Sequence, residues 1–203
     1  GVIRPWQAGG MRPSLRMIIG FKEWLDVCAH LGAGTTSLLL RKGGIHEGRD
    51  GFSFKHEEFF LFPTGFHQAS AGLRAVAPLH DLVASTEEAG VTIRHFCVAS
   101  FARLVRDRAV IEALAPYHFW APEVVWDRYS YSDKLEADCL SVALVRVYQL
   151  PEPWHFPYRP NYGGCRSWVD LPEPAAGWRE SMVPVISDAE HAARENQIRT
   201  LLG

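Results

Sequence analysis

Arg41, Lys42, Gly43 and Gly44 stand at the end of an apolar run, Ser37–Leu40, where two cations meet a turn without side chains. Backbone N–H groups of such a turn approach a phosphate closely, and an arginine offers it a two-pronged donor. A second apolar run, Phe59–Phe62, ends on Pro63-Thr64-Gly65-Phe66-His67. Between the two lie His46, Glu47, His56, Glu57 and Glu58, the residue types of metal binding and proton transfer. Their spacing matches no compact motif such as H-E-x-x-H. With Phe59–Phe62 as a strand, His56 and Glu58 share a side, and together with His67 they form a candidate divalent-metal site. Arg41 and His67, each leaving the end of an apolar run, are expected to face one polar pocket. The plainer alternative pairs Arg41 with Glu57 or Glu58 as a structural bridge.

Aromatic and basic residues alternate elsewhere. His118, Trp120, Trp126, Arg128 and Tyr129 form one group. Arg146, Tyr148, Trp154, His155, Tyr158, Arg159, Arg166 and Trp168 form another. Aromatic faces stack on nucleobases while arginines pair with phosphates, so the mixture suits single-stranded or flipped nucleotides. The competing account is a Trp- and Tyr-rich core with arginines lying over it. Seven tryptophans in 203 residues keep both accounts in play. Arg41, Lys42, Gly43, Gly44, His67, Arg128, Arg146, Arg166 and Trp168 are the ligand-binding candidates. Thr64 and Ser167 lack the G-x-S-x-G setting of a nucleophile. Cys165, after two glycines and near His155, is a weaker thiol candidate. Asp50 with Glu57 and Glu58 lacks the lysine that a PD-(D/E)xK nuclease requires.

The formal net charge of −2 gives no global reason to expect DNA, although a local basic patch still binds phosphate. No apolar run nears the roughly 18–20 residues of a membrane span, and Gly1–Ser14 has no signal-peptide core. Met11 reads as the start, with Gly1–Gly10 an upstream extension, and the expected location is cytoplasmic. Cys28, Cys97, Cys139 and Cys165 are far apart with no C-x-x-C pair, so they read as reduced thiols.

The elements that must position these residues follow from periodicity. Phe21, Trp24, Leu25, Cys28 and Leu31 predict a helix over Gly20–Leu31, stopped by Gly32 and Gly34. Thr35–Arg41, Phe59–Phe62, Val91–Ala99 and Cys139–Leu150 read as strands, the last ended by Pro151 and Pro153. Leu79–Ala89 reads as a helix capped by Gly90, and a short helix opens at Asp107 and ends at Pro116. Tyr162–Val169 is a turn entering a short strand, and Pro172–Pro184 is linker-like. Ser187-Asp-Ala-Glu190 is a capping box that opens a last helix to Leu202. Without a βαβ rhythm, the class is α+β: a small mixed or antiparallel sheet with flanking helices. The expected organisation is a flexible extension over 1–14, one domain over 15–172, and a linker with a peripheral C-terminal helix over 173–203.

The segments LLLRKGGI, FFLFPTGFHQ, LVRVYQLPEP and YGGCRSWVDLP together resemble a bacterial family catalogued as a numbered domain of unknown function. The resemblance covers roughly Phe21 to Pro172. A helix followed by Gly, a strand and an Arg is also similar to the opening of ASCH and related PUA-like domains. Their motif reads Gly-x-Lys-x-x-Glu-x-Arg. Gly34 and Arg41 fall at its spacing, with Thr36 in place of the Lys and Leu39 in place of the Glu. A late strand, Leu144–Leu150, precedes a Pro-containing segment as in that group. This resemblance implies a PUA-like β-barrel that binds RNA or nucleotides, and the missing Lys and Glu argue against a hydrolytic role. Two functions are therefore carried forward: a non-catalytic RNA- or nucleotide-binding module without cofactor, and a metal-dependent phosphate-ester hydrolase using His56, Glu58 and His67.

Overall fold

The computed structural model describes residues 17–42, 54–65, 72–75, 82–130 and 138–203. Its centre is a mixed sheet built from β1 (Ile19–Trp24), β2 (Leu38–Lys42), β3 (Glu58–Thr64), β4 (Val91–Val105), β5 (Leu140–Phe156), β6 (Trp168–Asp170) and β7 (Val183–Pro184). The strand order is β2-β5-β4-β3-β1-β6, with β7 added beside β5. Only β1 and β3 run parallel; every other pairing is antiparallel. The α+β class and the mixed sheet with flanking helices hold.

The sheet is buried on both faces. In β3, Phe59 and Leu61 enter one apolar cluster, with Phe21, Leu39 and Val147. Phe60 and Phe62 enter the other, with Ile93, Phe156 and Tyr162. A side-chain period of two explains why this run reads as continuously apolar rather than alternating.

The helix expected over Gly20–Leu31 is corrected: Gly20–Trp24 belongs to β1, and α1 (Leu25–Gly32) begins only after it. Ile19, Phe21 and Glu23 alternate into the core, and this period overrides the 3–4 spacing that Phe21 shares with Trp24 and Leu25. Gly34, at φ +74°, closes α1: its N–H donates to the Leu31 carbonyl and that of Thr35 to the His30 carbonyl.

The strand expected to stop at Leu150 also needs correction, since β5 runs through Pro151 and Pro153 to Phe156. Ile93 pairs with Trp154 and His95 with Gln149, so residues 150–153 bulge opposite the single residue Arg94. Prolines are tolerated there because a bulge needs no ladder donor. The described part of the expected Leu79–Ala89 helix, from Leu82 onward, is not helical. Thr86 and Gly90 instead form a bridge around a tight turn.

Two helices lie between β4 and β5: α2 (Arg108–Ala113), capped by the Asp107 side chain, and α3 (Pro122–Ser130). Residues 173–203 contain α4 (Trp178–Ser181), β7 and α5 (Asp188–Leu202). The capping box is present, with Ser187 Oγ accepting the Glu190 N–H at 3.1 Å. Helix α5 lies on the sheet: Ile198 is fully buried, and Arg194 donates to Ser37 Oγ and the Gly34 carbonyl. Residues Gly1–Ser14 lie outside the described residues. Among the described residues, no helix is long and apolar enough to cross a membrane.

Candidate functional site

The ladder between β1 and β6 ends at Lys22, whose N–H donates to the Ser167 carbonyl at 2.8 Å. The Lys22 carbonyl is taken by the Arg41 Nη2 donor, from β2. In strand order β2 stands four places from β1, so this bond crosses a seam where the sheet has curled back toward itself. Arg41 also lies 3.4 Å from Glu23 Oε2, and its guanidinium sits 4.5 Å from the centre of the Phe21 ring. The Glu23 side chain is fully buried, whereas that of Arg41 is 17% exposed. Glu23 Oε1 accepts the Trp24 N–H at 2.8 Å. Arg41 thus has a Lys and a Glu beside it, Lys22 and Glu23, but both come from β1 rather than from positions 36 and 39.

Arg128, on α3, enters the seam from behind. It donates to the Leu40 carbonyl and lies over the Trp24 and Trp120 rings at 5.0 and 5.5 Å. Burial, with Arg41 adding and Glu23 opposing, brings its pKa down to about 10, so it is still a cation at neutral pH. A buried arginine of this kind is a clamp between helix and strand; its charge faces Glu23 rather than water.

Lys22 Nζ donates to the carbonyls of Tyr162 and Gly164, both at 2.8 Å. Those bonds hold the turn of residues 163–166, in which Gly164 adopts φ +82°. The turn delivers an exposed Arg166 and an exposed Cys165 next to Lys22. Burial pulls the Lys22 pKa below its ordinary value; Arg166 and Arg41 pull it further, and the Cys165 thiolate opposes them. One end of the curled sheet therefore brings Arg41 and Arg166 within electrostatic range of Lys22. Lys42 follows Arg41 at the end of β2. Clustered positive charge of this kind attracts anions and suits phosphate.

Trp168 lies beside this end, but within an aromatic cluster. Its ring is 4.8 Å from Phe21, 5.3 Å from Phe59, 6.0 Å from Phe54 and 5.0 Å from His56. Arg146 is not brought here. It donates to the Ile186 carbonyl and to Asp188, both at 2.9 Å, and so holds the start of α5. Register places it five residues along β5 from Ser141, the partner of Arg41, about 17 Å away at strand rise.

Glu58 is engaged by Arg179, at 2.9 and 3.3 Å through its two oxygens. It does not meet Arg41, whose partner is Glu23. Among the described residues, no group of three or more His, Cys, Asp or Glu side chains is placed to hold a metal. His67, Gly43 and Gly44 lie outside the described residues, as do His46, Glu47 and Asp50. The sequence reading missed Lys22 and Glu23. The alternation Ile19, Phe21, Glu23 was the signal that would have put both on a strand, Glu23 facing the core and Lys22 the other way.

The chain belongs to the family described as a domain of unknown function (DUF1802), whose model matches residues 20–197, in accord with the motifs quoted above. No curated protein matches it. Among solved structures it is similar to two point mutants of ZmASCH from Zymomonas mobilis. The first is 8% identical, with a TM-score of 0.47 over 78% of this chain and 90% of that one. The second is 11% identical, with a TM-score of 0.44 over 78% and 92%.

Proposed function

We propose that this chain is a non-catalytic module that binds RNA or a nucleotide through the phosphate, at the end of the sheet bearing Lys22, Arg41 and Arg166. The observation that carries the proposal is the proximity of Arg41 and Arg166 to Lys22, beside a seam whose Glu23 carboxylate is buried against Arg41. Arg128 and Arg146, candidates in the sequence, act instead on the fold, one clamping α3 to β2 and the other holding α5. The hydrolase reading gains nothing comparable, because Glu58 is occupied by Arg179 and the His56 ring rests on Trp168.

Fluorescence anisotropy with labelled single-stranded RNA, titrated with salt, tests the proposal. Three phosphate contacts give a slope of log K against log salt of about −2 for a single strand. Arg166→Ala should reduce that slope by about 0.7. Absence of binding at low salt, or binding without salt dependence, would refute it.

A further inference from the structure

His191, in the first half of α5, is only 7% exposed, and its Nε2 lies 3.1 Å from Ser100 Oγ on the sheet. Ser100 faces the helix because the β4–β5 ladder is irregular at this point. Ala99 pairs with Val145 and Phe101 with the adjacent Leu144, so Ser100 is the extra residue. An extra residue of this kind re-aims its side chain out of the regular alternation. With Nε2–H donating to Ser100 Oγ, Nδ1 is a bare acceptor. It is buried and has no hydrogen-bond partner among the described residues. A proton added there makes a buried N–H without an acceptor, which is costly. The charged groups facing the ring are Arg146 from β5 and Asp188, Arg194 and Glu195 from α5 itself; β4 supplies only the uncharged Ser100. Both carboxylates already serve an arginine. Asp188 accepts from Arg146 at 2.9 Å, and Glu195 accepts from Arg199 at 2.9 and 3.0 Å. Glu195 Oε2 is left 3.9 Å from His191 Nε2, beyond hydrogen-bond reach. Burial and then Arg146 hold the pKa of His191 below its ordinary value, with Arg194 adding and Glu195 and Asp188 opposing.

We propose that His191 is a latch through which mild acid releases the first half of α5 from the sheet. The latch is independent of the phosphate-binding reading above. Docked, the ring resists its second proton; released into water, it takes that proton up near pH 6.5. Docking is therefore fully favoured above pH 6.5 and loses this advantage as pH falls below it. Release also breaks the bonds of Arg194 to Ser37 Oγ and the Gly34 carbonyl, which tie α5 to the segment entering β2.

The test is amide hydrogen exchange of the full chain at pH 7.5 and pH 5.5, corrected for the intrinsic rate at each pH. Protection of the amides from His191 to Glu195 should fall severalfold. The ceiling is about tenfold, set by a free histidine one unit below its ordinary pKa. The amides of Val142–Val147 in β5 should remain the better protected at both pH values. In His191→Gln the fall at α5 should vanish, whereas any fall in β5 should remain. Unchanged protection of α5 in the parent, or the same fall in His191→Gln, overturns the latch. So does equal protection of α5 and β5 at pH 5.5, which would make the opening global. Ring titration of His191 by NMR in the unaltered protein gives a check that needs no variant. The midpoint should lie below pH 6.5, and a midpoint at or above 6.5 overturns the proposal.

Discussion

The buried Glu23 carboxylate and the Arg41 guanidinium, 3.4 Å apart, join strands that stand four places from each other in the sheet. Removing Arg41 therefore takes from the buried Glu23 carboxylate its nearest cation, leaving Arg128 to face it from α3. Arg41→Ala should destabilise the fold by about 3–5 kcal/mol, measured by urea unfolding. Arg41→Met with Glu23→Gln, which removes both charges, should cost clearly less. Equal losses in both proteins would show that the pair is not what holds the seam.

Arg166 behaves in the opposite way. Its side chain is exposed and the turn that carries it is held by Lys22, not by Arg166 itself. Arg166→Ala should leave the unfolding midpoint within about 0.5 kcal/mol of the parent. A larger loss of stability would show that the Arg166 side chain also supports the fold.

Much of the sheet was legible because its strands are long or continuously apolar. Phe59–Phe62 and Val142–Val147 can be packed only as buried strands. What sequence could not supply was the seam. Arg41 stands 18 residues from Glu23, and β1 was disguised by an apolar spacing that also fits a helix. Arg128 and Arg146 read as ligand-binding candidates because nothing local reveals the distant carbonyls they serve, Leu40 and Ile186. Arg166 and Lys22 illustrate the remainder: their proximity comes from the β1–β6 pairing, which neither residue type announces.

Acid should unfold the protein through two buried histidines. His95 and His118 are held at a pKa of about 4, chiefly by burial, with Arg94 adding at the first and Arg74 and Arg128 at the second. The unfolded chain takes up protons near pH 6.5, before the folded one does. Their contribution is thus complete above pH 6.5 and is lost as pH falls from there toward 4, on the order of 3 kcal/mol for each histidine. Urea unfolding at pH 7.5 and pH 4.5 should show this drop, and His95→Gln should flatten it. An unchanged stability across that window would contradict the account.

Helix α5 should depend on its cap and on the half-buried contacts of Arg194. Ser187→Ala removes the acceptor of the Glu190 N–H and should cost about 1 kcal/mol. Arg194→Ala removes the bonds to Ser37 and Gly34 and should cost a further 1–2 kcal/mol or so. Hydrogen exchange of the α5 amides should rise in both. Unaltered protection would mean that Ile198 and the Arg146 contacts anchor the helix without them.

The most direct test of phosphate binding at the seam is amide chemical-shift mapping during titration with a single-stranded RNA oligomer. The largest shifts should fall on Lys22 to Trp24, Arg41, Lys42 and Cys165 to Trp168, and only small ones around Glu58, Arg179 and α5. Shifts concentrated on α5 and β7, with the seam residues unmoved, would contradict it.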